Sequence, residues 1–488
     1  MTVPNRPPGA GLAPAGGLWP AHIPRRPAGA PPGPPPPLAP PAGPGGFTVP
    51  QGVRVLEEAF TERFPWRGVK WSMTYVGFLG YVFAVTTYRF PIGNASMIIG
   101  LLGLVMQPER IRVPGLLKGL AVFLLWCVVG YAVTDYPTMV SDRLQIVGKV
   151  WLVALVAANA LRTRPQIRFA IFFWLGCFAL YPVRGSIFNY YLYHETVAGR
   201  ASWNYIFANP NDVAAYCILM LSLALGLLSV ERKGPVRLAT IAGLAVVPFL
   251  VLLTKSRGGF LGMAVFVMIA LLAQRKRGKA IVVVAALAGL VILLAPNNVL
   301  NRVRGLKAVD SGNLEQVDEE GSAFQRYEIW KVARTVIREH PVTGVGLGAY
   351  PAAHRLTAQR AQFNPTARGP RDSHSTYLNV TAETGLVGAA IFFVSYILAL
   401  LRINAIRTRA KQLLPGTSQL LFTYLAGMIG FFVSAIFGSM AYVSFLLLMV
   451  IFMWAIAEVV QLELDEAKKG RLIVVPAEPL LPRRRAAR

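Results

Sequence analysis

Apolar residues along this chain come in long runs separated by short polar loops, from Trp71 to Val460. Roughly 17–25 residues is the length that crosses a hydrocarbon core, and the runs approach or reach it. About twelve are present: 71–88, 92–106, 115–133, 145–161, 168–182, 212–230, 236–254, 259–274, 280–295, 376–401, 418–437 and 440–460. Backbone exposed to lipid must satisfy its own hydrogen bonds, so each run is predicted as a helix. The pattern predicts an all-α integral membrane protein of about 12 transmembrane helices over 66–461, with tight hairpin joins at 254–259 and 437–440. A Pro/Gly-rich arm (1–65) precedes it, with Pro34–Pro37 unbroken, and a basic tail (462–488) follows. The arm lacks the composition of a packed core and is expected to be disordered.

The polar loops sort by charge. Lys and Arg gather in 107–113, 162–168, 231–237, 274–279, 402–411 and the tail, which carries Arg483, Arg484 and Arg485. Short basic loops stay cytoplasmic. Twelve spans with both termini cytoplasmic put all of them inside, and the inverted orientation would put all of them outside.

Composition adds little to that picture. The net charge is +26 with 54% hydrophobic and 15% charged residues. The surplus sits in the inner loops and tail, where orientation and anionic headgroups account for it, so nucleic acid is not the expected partner. Cys127, Cys177 and Cys217 lie in or at the edge of apolar runs and fit neither a disulfide framework nor a C-x-x-C metal site.

Two outer loops, 182–211 and 296–375, are long enough to hold structure. Within the second, 323–339 reads as an amphipathic helix ended by Pro341. Tyr327, Lys331, Arg334 and Arg338 share one face, and Ile329, Trp330, Ala333, Val336 and Ile337 the other. Arg326 falls on the apolar stripe, either snorkelling at a membrane surface or contacting an anion.

Basic residues on the outer side are against the trend and attract attention. Arg184 and Lys255 are explained equally well by headgroup contact. Arg257 sits in a short turn, Thr254-Lys255-Ser256-Arg257-Gly258-Gly259, at the start of a helix. Guanidinium, glycine backbone N–H groups and helix dipole together make a phosphate cradle. Arg200 precedes Asn209-Pro210-Asn211-Asp212, a turn and helix cap in which Asn211 and Asp212 carry the capping and Asn209 is also able to orient a polar ligand. His374 follows Ser373, expected as an N-cap, so the imidazole is expected in the first turn of the tenth helix. The dipole there favours the neutral, base-competent form, while Asp372 either orients the ring or raises its pKa. A merely interfacial histidine is the alternative. Of the remaining histidines, His194 and His354 are expected as loop residues without a partner. Glu383, an ionisable residue in the outer half of the same span, is expected to face the bundle interior.

In order, Arg200 with Asn209-Pro210-Asn211, Thr254-Lys255-Ser256-Arg257-Gly258, Arg326-x-x-x-Trp330, Pro341-x-x-Gly344-x-Gly346-x-Gly348-x-Tyr350, His374-Ser375-Thr376-Tyr377-Leu378 and Glu383-x-Gly385 resemble the O-antigen ligase/polymerase family of bacterial inner-membrane glycosyltransferases. The resemblance covers roughly 70–460. Ser375 stands where that family often has Asn. The resemblance implies the fold of a lipid-donor glycosyltransferase with a large, partly helical periplasmic loop (296–375). It implies transfer of a glycan from undecaprenyl diphosphate to an acceptor hydroxyl on the periplasmic face: lipid A–core, another glycan, or a protein side chain. Arg200, Arg257 and Arg326 would hold the diphosphate, His374 would act as base, and Asn209, Asp372 and Glu383 would orient substrate. A single displacement predicts inversion. With no paired outer acidic motif, neither metal nor cofactor is expected. An O-antigen or polysaccharide polymerase and a protein O-glycosylation ligase share these features. A secondary transporter of an anion is the rival class, weakened by the long outer loop and by the lack of paired broken spans.

Overall fold

In the computed structural model, every expected apolar run that lies among the described residues is a helix. Described are 53–273 and 322–476, a few positions excepted, together with 278, 281, 282 and 285. The ninth run, 280–295, the segment 296–321 and most of the arm and tail lie outside them or nearly so. In chain order the helices are α1 (Met73–Thr87), α2 (Gly93–Met106), α3 (Gly115–Val133), α4 (Pro137–Ala160) and α5 (Arg164–Tyr193). After an irregular stretch come α6 (Pro210–Leu227), α7 (Pro235–Leu253) and α8 (Arg257–Leu272). Next are α9 (Ser322–Glu339) and α10 (Tyr350–Arg360), then α11 (Thr376–Ala410), α12 (Pro415–Ser434) and α13 (Ser444–Lys468). Seven described helices, α3 to α6 and α11 to α13, are long and apolar enough to cross a membrane. The helices α1, α2, α8 and the Thr240–Leu253 part of α7 are shorter and also apolar. The chain is a multi-pass, all-α membrane protein.

Several helices outrun their apolar runs, because hydropathy marks the membrane and not the end of the hydrogen-bond ladder. α4 begins at Pro137, α11 carries Arg402, Arg407 and Arg409 on its last turns, and α13 continues to Lys468. The fifth run was expected to end at 182. Instead α5 passes through Pro182 by a stretch of π-helix, Ala179–Val183, and a second at Asn189–Tyr193. A wide turn accommodates the missing N–H and ring of a proline without ending the helix. Arg184, expected in a loop, is therefore helical, its guanidinium 4.5 Å above the Phe188 ring. The join expected at 437–440 is longer, since α13 starts only at Ser444.

α6 and α13 form the centre, with 89% and 78% of their most apolar windows buried, whereas α11 buries 28% and presents much of its length outward. Aromatic side chains fill the middle: Phe445 packs on Tyr216 at 4.9 Å and on Trp174 at 5.1 Å between ring centroids. The three cysteines are free and buried.

The described basic loops meet at one end. Asn159 binds both backbone groups of Arg112, and Arg164 pairs with Glu463 at 2.6 Å. Ser229 donates to the Gly416 carbonyl, and Ser418 to that of Arg407. Arg168, counted among the loop cations, is in fact buried, in a bidentate pair with Glu231 at 2.5 and 2.9 Å. At this end β1 (Arg54–Glu57) pairs in parallel with β2 (Leu472–Val475), so structure extends into stretches expected to be an unstructured arm and a plain tail. Glu58, fully buried, accepts the Thr417 N–H at 2.6 Å.

The opposite end gathers the outer elements. The amphipathic helix expected over 323–339 is α9, with Ile329, Val332, Ala333 and Val336 buried beneath it. The chain from Pro341 to Gly348 then dips into the bundle and docks on α11. Val345 N–H donates to Ala382 O, Gly346 N–H to Glu383 O, and Leu386 N–H to Pro341 O. α11 breaks there: Gly385 has φ 68°, and a Cβ would collide with the Val342 carbonyl. Three residues on, Gly388 serves close packing against Trp126.

Candidate active site

The arginine turns are built first by helix starts. Asn209 is the N-cap of α6, its side-chain oxygen accepting the Asn211 N–H at 2.9 Å. The capping expected of Asn211 and Asp212 thus falls to Asn209, and Asn211 is released for another task. Its Oδ1 accepts from Arg200 Nη2 at 2.7 Å and from the Ser256 hydroxyl at 2.9 Å. Arg200 Nε donates to Thr254 O at 2.8 Å, and Ala201 N–H to Leu253 O. Arg200 is therefore fixed between the start of α6 and the α7–α8 turn.

That turn is short. Lys255 has φ 50°, and Ser256 caps α8 by accepting the Gly259 N–H at 3.1 Å, so Arg257 is the first residue of the helix. Gly258 and Gly259 are expected within the tight turn at the start of the helix. They lie in the first helical turn, packed against Phe437 and Ala214. Two helix N-termini, those of α6 and α8, bring their partial positive charge to the place where Arg200 and Arg257 stand.

The histidine belongs to a second cluster at the same end. Ser373 Oγ accepts the Ser375 N–H at 3.2 Å, forming a local turn and not a helix cap. Ser375 is the N-cap residue of α11, and His374 lies just outside the helix with φ 48°. The expected first-turn position is thus corrected by the Ser373 turn, which closes two residues on. Trp330 Nε1 donates to Ser373 O at 2.9 Å, and the Thr376 hydroxyl donates to Gly438 O at 2.7 Å, clamping the imidazole loop from both sides. Burial lowers the His374 pKa first, Arg326 lowers it further, Asp372 opposes, and Arg371 adds to the lowering. The balance favours the neutral imidazole. The cause differs from the one expected: desolvation and Arg326 lead, in place of a helix dipole.

Phe437 joins the two clusters, since it packs on Gly258 and stacks on Trp330 with centroids 6.3 Å apart. Arg200, Arg257, Arg326, Asp372 and His374 are all held at this end. Glu383 lies deeper in α11, buried beside Tyr442, Asn379 and the Gly348 N–H. His354, expected to lack a partner, is buried on α10 with Nδ1 3.1 Å from Gly369 O and its ring against Tyr350.

Sequence reasoning missed Asn211 as the holder of Arg200. The signal was present in Asn209-Pro210-Asn211, because a helix start uses one such cap and the second amide is surplus. The role of Trp330 as the tie to the histidine loop was also missed, although its spacing from Arg326 was noted.

No curated protein matches the chain. Residues 241–393 match the family model described as O-antigen ligase, a segment that contains Arg257, Arg326, Asp372, His374 and Glu383 and excludes Arg200. Over that segment, about a third of the chain, the protein is similar to the O-antigen ligase family.

Proposed function

We propose that the protein transfers a glycan from undecaprenyl diphosphate to an acceptor hydroxyl at the periplasmic face of the bacterial inner membrane, with inversion and without a metal. The observation that carries this reading is a half-buried imidazole, His374, whose surroundings favour its neutral form and whose loop is clamped at the same end as Arg200, Arg257 and Arg326. The match of residues 241–393 to the O-antigen ligase family model supports a glycan-transfer role in the membrane.

Arg200, Arg257 and Arg326 bind the diphosphate, through charge and through their planar forks. The acceptor oxygen attacks the anomeric carbon while the bond from that carbon to the diphosphate oxygen breaks. The electron pair leaves with the diphosphate, where the arginines stabilise it. The acceptor proton passes to His374. Diphosphate is a good leaving group, so one base suffices. Donor binding also prepares that base: a diphosphate beside Arg326 offsets the positive charge that depresses the imidazole, so His374 becomes a stronger base once the donor is seated. Asp372 orients the ring, while Asn209 and Glu383 contribute to the orientation of substrate and of the docked loop. The acceptor hydroxyl belongs to lipid A–core, to another glycan or to a protein side chain.

The test is reconstitution in liposomes with an undecaprenyl-diphosphate-linked glycan and each candidate acceptor in turn, reading product mass. Mass gain on one acceptor is the expected outcome and names the subclass. Uptake of an anionic solute with no mass gain on any acceptor would replace the reading with transport.

A further inference from the structure

We propose that Asp212 is a substrate-contacting residue of this site, its carboxylate accepting a hydrogen bond from a hydroxyl of the sugar being transferred and offsetting positive charge that grows at that sugar's anomeric carbon. The inference rests on the glycan-transfer reading and adds a residue to it.

Asp212 is the third residue of α6, directly after the asparagine that holds Arg200. Its Oδ1 is sealed from solvent and has no hydrogen-bond partner among the described residues. A buried carboxylate oxygen left unpaired is costly, and such atoms are rare away from functional sites. Helix capping does not explain it, since Asn209 already caps α6. The dipole at the start of α6 favours the charge but would favour an exposed carboxylate equally well, and it leaves the Oδ1 lone pairs empty.

Its position is the second observation. A Cβ built on Gly438 would stand 3.5 Å from Asp212 Oδ1, so the carboxylate lies against the Gly438–Ser439 turn. That same turn accepts the Thr376 hydroxyl and brings the Ser439 hydroxyl within 3.5 Å of Ser373, on either side of His374. Asp372, which acts on His374, also acts on Asp212. Asp212 therefore lies between the arginine turn and the histidine loop, where the sugar must sit if its diphosphate is on the arginines and its acceptor is on His374. Glycosyl transfer places cationic character on the anomeric carbon at the transition state, and a fixed carboxylate beside it is worth more there than in the ground state. In the ground state the same charge opposes the diphosphate.

Those two statements give opposite effects on binding and turnover, which a merely structural aspartate would not. Full-length protein carrying Asp212→Asn is compared with wild type for affinity towards undecaprenyl diphosphate and for transfer to the acceptor that wild type uses. Turnover is expected to fall about 100-fold or more, with affinity for undecaprenyl diphosphate equal or tighter and the thermal unfolding midpoint held. Asp212→Glu, which keeps the charge but moves it, should also fold and turn over at least about tenfold more slowly, and it serves as the second variant should the first be unstable. Transfer by Asp212→Asn within about threefold of wild type overturns the proposal. So does joint loss of turnover, diphosphate binding and folding in both variants, which would mark a structural residue. A glycosyl adduct trapped on Asp212 would also overturn it, in favour of a nucleophile. Absence of transfer by wild type is a different result, overturning the function proposed above.

Discussion

Arg200 donates through Nη2 to Asn211 Oδ1 at 2.7 Å, and that one oxygen also accepts the Ser256 hydroxyl at 2.9 Å. A single amide thereby ties the loop before α6 to the start of α8 and fixes the direction of the guanidinium. Removing it takes away the bond to Nη2, while Nε still donates to Thr254 O. A hydrogen bond to a charged group is worth about 1.5–3 kcal/mol, so Asn211→Ala is expected to weaken binding of undecaprenyl diphosphate roughly 10- to 100-fold. Titration calorimetry in detergent measures it. Unchanged affinity would mean that the Arg200 orientation does not depend on Asn211.

The direction of the His374 shift fixes the acid limb of activity. Burial and Arg326 lower its pKa, so the base-competent neutral form persists below the usual value of about 6.5, and kcat/KM, which reports the free enzyme, should begin to fall only below that pH. With diphosphate on Arg326 the lowering is offset, so the limb of kcat should lie at higher pH than that of kcat/KM. Arg326→Gln should move the kcat/KM limb upward at the cost of donor affinity, and Asp372→Asn should move it downward. His374→Gln should lose at least roughly two orders of magnitude in rate with donor binding intact. A kcat/KM limb above 6.5 in wild type would contradict the environment described, and near-normal turnover in His374→Gln would remove the base role.

The spans and the two-ended sorting of loops were legible in sequence because membrane insertion acts on residue type directly. The described basic loops do meet at one end, through contacts such as Asn159 with Arg112 and Ser418 with Arg407. Helix ends were less legible: Pro182 reads as a terminator, yet α5 absorbs it in a π-helical stretch. The site was legible as a set of residue types but not as a geometry. Ser373 and Asn211 each present the side chain of a good N-cap, and only the positions of Ser375 and Asn209 decide that neither acts as one. Pairing of Arg54–Glu57 with Leu472–Val475 had no sequence signal, since it joins two short segments from opposite ends of the chain.

Orientation is open to direct measurement. In a background with Cys127, Cys177 and Cys217 replaced, single cysteines at Arg110 or Arg409 should resist an impermeant thiol reagent applied to spheroplasts. Cysteines at Glu195 or Gln359, both exposed at the opposite end, should react. Labelling at Arg110 with protection at Gln359 would invert the molecule and move the arginine and histidine clusters to the cytoplasm.

The break in α11 predicts where the outer loop is most vulnerable. Gly385 holds φ 68°, and a side chain there meets the Val342 carbonyl, a backbone atom that cannot rotate away. Accommodating Gly385→Ala requires the 341–346 segment to lift. That would break the bonds from Val345 to Ala382, Gly346 to Glu383 and Leu386 to Pro341. The backbone strain alone costs on the order of 1–3 kcal/mol, so the thermal midpoint should drop clearly. Transfer should drop with it, because α9, which carries Arg326 and Trp330, runs directly into that segment. Gly115→Ala is the matched control: nothing lies within 4 Å of its would-be Cβ, and it begins a helix. Losing backbone freedom in the unfolded chain at no native cost should leave stability equal or raised by up to about 1 kcal/mol. Equal midpoints and rates for Gly385→Ala and wild type would show that the docked segment neither holds α9 nor positions the histidine loop.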